Sequence, residues 1–133
     1  TTITVIVSDP ATKTTVEQKL TLKTTDPKIL IYRQDPLLGI LYNQAIGSDY
    51  KLADTEEVFR AEPYFFSLSD WLSDKINFTW QINGKQVGLG EGDKRLLSLS
   101  RPVEGSGTAS VDVRVENQNN LFQNSSTNIR IKY

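Results

Sequence analysis

The stretch Ile76-Asn77-Phe78-Thr79-Trp80-Gln81-Ile82-Asn83-Gly84-Lys85 decides the fold class. Ile76, Phe78, Trp80 and Ile82 recur at every second position, with Asn77, Thr79 and Gln81 between them. Side chains of a strand point alternately to its two faces, so this period predicts a strand with one apolar and one wet face. Asn83-Gly84 follows at once. Both residues accept positive φ, which the tightest hairpin turn requires. The chain is therefore expected to reverse there and return over Lys85–Leu89.

The same period recurs on either side. Ala109, Val111, Val113 and Val115 alternate with Ser110, Asp112, Arg114 and Glu116, and Ile129, Ile131 and Tyr133 close the chain. Leu97 and Leu99 mark a strand ending at Pro102, and Lys28–Gln34 contains the continuous apolar run Ile29-Leu30-Ile31-Tyr32. Val58–Ser67 reads as a strand that Pro63 interrupts or displaces to an edge, because proline cannot donate to a ladder. Within it Phe65 is expected in the core, and Ser69–Lys75 is expected to be a loop. The exception is Asp35-Pro36-Leu37-Leu38-Gly39-Ile40-Leu41 onward. Asp35 can cap a helix, Pro36 suits the first helical position and Gly47 can end it, so one short helix is expected near residues 36–46. The fold class is thus mainly β: an antiparallel sandwich with one short helix, preceded by a β-hairpin.

That first hairpin resembles the last one. Ile3, Val5 and Val7 alternate with Thr2, Thr4 and Ile6, a polar loop follows Asp9-Pro10, and Leu20 and Leu22 alternate on the return. Thr108–Asn117 and Ser126–Lys132 repeat that plan at the end of the chain. The last hairpin has strands in front of it and the first has none. Residues 1–26 are therefore expected to be the closing hairpin of an upstream domain, with 27–133 a complete sandwich. The competing expectation is one larger sandwich holding all the strands. Separately, a start at Thr1 without any Met is expected of a processed form or a fragment.

Composition excludes chemistry. The 133 residues include 15 Lys+Arg against 16 Asp+Glu, a formal charge of −1, with no His, Cys or Met. Thiol nucleophiles, zinc–thiolate sites and disulfides need Cys, and a Ser-His-Asp triad needs His. Near-neutral charge argues against nonspecific binding to nucleic acid or anionic membranes. Ser106 in Gly105-Ser106-Gly107 lacks nucleophile-elbow spacing, and Gly88-Leu89-Gly90-Glu91-Gly92 opens no helix that could hold phosphate. The expectation is no catalytic residue, no metal and no cofactor.

Phe78-Thr79-Trp80-Gln81-Ile82-Asn83-Gly84-Lys85 resembles the C–C′ hairpin of bacterial immunoglobulin-like (PKD-like) domains. Gly105 through Asn117 resembles their F strand, with Ala109 where the family often has Tyr. Asp26–Tyr32, Asp35–Gly39 and Ala61–Ser67 look like a linker and second domain in uncharacterised tandem Ig-like secreted proteins of small uncultivated bacteria. The resemblance implies an Ig-like sandwich at a bacterial cell surface or secreted, and it carries over no catalytic residue.

Function is expected to be that of a noncatalytic extracellular module, structural or adhesive. Its partners would be a surface protein or glycan of unknown identity and a neighbouring Ig-like domain. No nucleic acid and no membrane insertion are expected. Trp80 is expected to be the core tryptophan. Trp71 stands in a polar stretch and, with Tyr64 nearby, could stack on a sugar or cap the sandwich. Asp49, Asp54, Glu56 and Glu57 could hold Ca²⁺ but match no EF-hand spacing, and a solvated acidic loop is the alternative. Ile3, Val5, Val7, Leu20 and Leu22 need cover, so self-association by edge pairing into a surface assembly is a further expectation.

Overall fold

A computed structural model describes residues 2–23, 25–89 and 91–133. Thr1 of the first hairpin and Gly90 of the glycine-rich stretch therefore lie outside the described residues. The chain is mainly β, as the alternation predicts. β1 (Thr2–Asp9) and β2 (Thr14–Thr21) form a separate two-stranded sheet. The sandwich follows as β3 (Lys28–Asp35), β4 (Gly39–Ile40), β5 (Asp49–Lys51), β6 (Glu56–Tyr64), helix α1 (Leu68–Leu72), β7 (Ile76–Ile82), β8 (Lys85–Gln86), β9 (Leu96–Ser100), β10 (Thr108–Asn117) and β11 (Asn124–Lys132). One sheet runs β5-β11-β10-β7-β8 and the other β4-β3-β6-β9. Pairs are antiparallel except β11 with β5, which is parallel. Among the described residues no helix is long and apolar enough to cross a membrane.

The core lies between these sheets. Trp80, Val111, Val113, Val115, Ile129 and Ile131 face it from one side, and Ile29, Ile31, Phe59, Ala61 and Leu97 from the other. They are the period-two positions, because alternation turns every second side chain inward. Trp80 has no exposed surface, and its indole nitrogen donates to the Lys94 carbonyl at 3.0 Å. That bond satisfies the one polar atom the ring would otherwise bury unpaired. Tyr32 is buried on the outer face of β3, where its ring meets that of Tyr42 edge-on at 5.2 Å. Its hydroxyl pairs with that of Tyr64 at 3.0 Å. This bond, with burial, pushes the Tyr32 phenol up to about 12.

The Asn83-Gly84 turn forms as expected, with φ of 50° and 77°. It joins Ile82 to its partner Lys85. The return strand is shorter than expected, ending at Gln86. Asn83 also ties the turn to the sheet, its backbone N–H donating to the Ser110 carbonyl and its side-chain oxygen accepting from Ser110 N.

The helix expected near residues 36–46 is absent. Asp35 Oδ1 accepts from the N–H groups of Leu37 and Leu38 at 2.8 and 3.0 Å, as a cap would. Gly39 then turns left-handed at φ 77°, and Gly39–Ile40 pairs back onto β3. A helix here would need cover for its apolar face, yet Leu37 and Leu38 stand 94% and 77% exposed. The short helix is instead Leu68–Leu72, overlapping the loop expected over Ser69–Lys75. Ser67 caps it by accepting from Asp70 N, a local signal in Ser67-Leu68-Ser69-Asp70.

Phe65 is also corrected. It is 53% exposed with φ 65°, because the chain leaves β6 there and the strand alternation stops. Pro63, by contrast, sits in a strand paired on both sides and costs no ladder bond. Ala61 N donates toward the β9 side, to Arg95 O, so the Pro63 nitrogen two residues on faces that same side. There β9 pairs only as far as Arg60, and no acceptor is left waiting.

Candidate functional site

A cleft of about 440 Å³ is bordered by Trp71, Asp74, Phe78, Asp93, Lys94 and Arg95. Helix α1 supplies Trp71, β7 supplies Phe78, and the turn before β9 supplies Asp93 to Arg95. Trp71 is half-buried and meets Phe78 edge-on, with ring centres 6.1 Å apart and planes at 86°. The Arg95 guanidinium lies 5.3 Å from the indole centre, within cation–π range. The ring closes the lower edge of the core and also forms a wall of the cleft.

Arg95 is held there by Asp93. Its Nε and Nη2 donate to the two carboxylate oxygens at 2.7 and 2.6 Å, a bidentate fork. Arg60 adds a third donor at 3.2 Å and is itself paired with Glu62. The Arg95 hydrogen bonds hold the Asp93 carboxyl below the usual carboxylate range. Opposite, Asn117 and Asn119 donate to Asp70 at 2.7 and 2.8 Å, and they lower its carboxyl in the same way. Asn117 is almost fully buried and also donates to Gln123, whose side-chain oxygen accepts from Ser67 N. This network clamps α1 against the β10–β11 turn.

Tyr64 does not join Trp71 in the cleft. It ends β6 on the outer face, bonded to Tyr32, with Phe65 6.5 Å away and the Lys28 ammonium 5.8 Å from its ring. The acidic group disperses. Asp49 pairs with Arg130, and Glu56 accepts from Ser98. Glu57 is 4% exposed and accepts from Tyr50 Oη, Ala53 N and Asp54 N. Its acceptor positions are taken by protein donors, so these residues form no cation cage. Among the described residues no three metal-ligating side chains gather.

Ile3, Val5, Val7, Leu20 and Leu22 are 43–65% exposed. The sequence reading did not single out Asp93, Arg95 or the Asp70–Asn117 pair. Asp93-Lys94-Arg95 held a local signal in its i, i+2 charge pair, whereas Asp70 and Asn117 meet only through the fold. Fold and cleft together define a β-sandwich with a half-buried tryptophan at one end. Compared with known proteins, no family model, curated protein or solved structure matches this chain.

Proposed function

We propose that residues 27–133 form a noncatalytic Ig-like module, a structural or adhesive unit of a bacterial cell-surface or secreted protein. One observation carries this reading. Leu68, Leu72, Leu121 and Phe122 stand 71–94% exposed on α1 and the adjoining β10–β11 turn. The Asp70–Asn117–Gln123 network holds those two segments together. Rigidly held apolar side chains left in water suit contact with a partner.

Beads coated with the protein are expected to bind cell surfaces, and Leu72→Asp with Phe122→Asp to reduce binding about tenfold or more, the effect of losing roughly 1.4 kcal/mol. Antibodies are expected to label intact producing cells. Turnover of glycan or ester substrates that Asp93→Asn abolishes would reject the noncatalytic reading.

Carbohydrate binding at Trp71 is the second reading. It is favoured by an aromatic wall lying beside the planar, bidentate Arg95. Glycan-array binding is expected to disappear in Trp71→Ala, and binding that survives this change excludes the site.

A further inference from the structure

The β1–β2 hairpin has two unlike faces. Pairing sets Ile3 opposite Leu20, Val5 opposite Gln18 and Val7 opposite Val16 on one of them. The other carries Thr2 with Thr21, Thr4 with Lys19, Ile6 with Glu17 and Ser8 with Thr15. Every residue of both strands is exposed, including Val5 at 53% and Val7 at 65%. A lone two-stranded hairpin is marginally stable in water, and both its strands are edges.

The same chain contains a covered hairpin of this design. On β10–β11, Val111, Val113, Val115, Ile129 and Ile131 are at most 2% exposed. They pack in one core with residues of β3, β6 and β9. The outward face of that hairpin is polar, carrying Arg114 and Asn128 among others. Apolar and polar positions alternate on β1–β2 in the same way.

We propose that β1–β2 is the closing hairpin of a neighbouring β-sandwich in the same polypeptide. Its apolar face would lie under a sheet like the one β3, β6 and β9 place over β10–β11. Area decides against a second copy stacked face to face. Eight-residue strands at about 3.4 Å per residue and about 4.8 Å apart present roughly 270 Å² per hairpin. A stable interface needs about 800 Å² per partner. A sandwich-forming sheet covers the face and also supplies strands for the edges. Residues 22–27 join this hairpin directly to the next sandwich. The inference rests on the sandwich fold and does not depend on adhesion.

The test is backbone hydrogen exchange on the full chain, with its mass in solution measured by light scattering. A monomer is expected, with β1–β2 amides exchanging at least about 100-fold faster than those of β10–β11. Residues 27–105 are then joined ahead of residue 1, placing copies of β3, β6, β7 and β9 before the hairpin. In that protein the β1–β2 amides are expected to slow at least about 100-fold. Val5→Lys should restore fast exchange and leave β10–β11 protected. Equal protection of both hairpins in the monomeric full chain would overturn the proposal, because β1–β2 would then need no cover. A dimer dissolved by Val5→Lys would also overturn it, by making a second copy the cover. So would unchanged β1–β2 exchange in the extended protein. None of these outcomes would alter the adhesive reading of residues 27–133.

Discussion

Trp80→Ala is expected to remove about 3–5 kcal/mol of the sandwich's stability, the largest loss of any single truncation in the core. The ring is wholly buried between the sheets, and its nitrogen is bonded to the Lys94 carbonyl. Truncating a buried aromatic side chain costs about 3–5 kcal/mol, from lost burial and from the cavity left behind. Domains of this size have about 5–15 kcal/mol in total. The cost also spreads, because Lys94 precedes the Asp93–Arg95 fork's second member and the turn leading into β9. Trp80→Phe keeps most of the apolar contact and loses the hydrogen bond, so a smaller loss of about 1–3 kcal/mol is expected. Urea unfolding followed by circular dichroism measures both. An alanine variant within 1 kcal/mol of the parent would mean that Trp80 is not the centre of the core.

Glu57→Ala is the second large effect. The carboxylate faces inward from β6, nearly sealed from water, and accepts from Tyr50 Oη at 2.7 Å, Ala53 N at 2.7 Å and Asp54 N at 3.1 Å. Arg33 lies 4.0 Å away. Alanine leaves two backbone donors and a phenol without an acceptor at the β5–β6 connection. Each buried unpaired group costs about 1–3 kcal/mol, and water entering the gap recovers part of that. A net loss of about 3 kcal/mol is expected. Glu57→Gln keeps an oxygen for the two N–H groups and should lose about 1 kcal/mol. This order, alanine well below glutamine, is the diagnostic result. If urea unfolding finds the two variants equal, the hydrogen bonds are not what holds Glu57.

Both residues show how much of the molecule could be read locally. Trp80 was legible because alternation with Phe78 and Ile82 fixes which face it takes. Glu57 was read as part of a solvated acidic group, because four carboxylates close in sequence look alike without the fold. Its burial comes from Phe59 and Ala61, which commit β6 to the core and bring the inward position two residues earlier with them. The helix near residues 36–46 failed for the opposite reason. Asp35 makes the bonds a cap would make, but they serve a tight turn, Gly47 is not left-handed, and only β3 pairing with Gly39–Ile40 selects between turn and helix. The cleft at Trp71 was half legible. The aromatic residue stood out in a polar stretch, whereas Arg95 comes to its ring from 24 positions away.

The sequence by itself determined the long strands of the sandwich, the Asn83-Gly84 reversal and the inward residues those strands supply. Those follow from a period of two and from allowed φ angles, which are local properties of the chain. Tertiary structure decided which polar groups meet: Asp70 with Asn117, Arg95 with Trp71, Glu57 with Tyr50. Such contacts join residues on different strands and turns, and their geometry exists only after the sheets have packed.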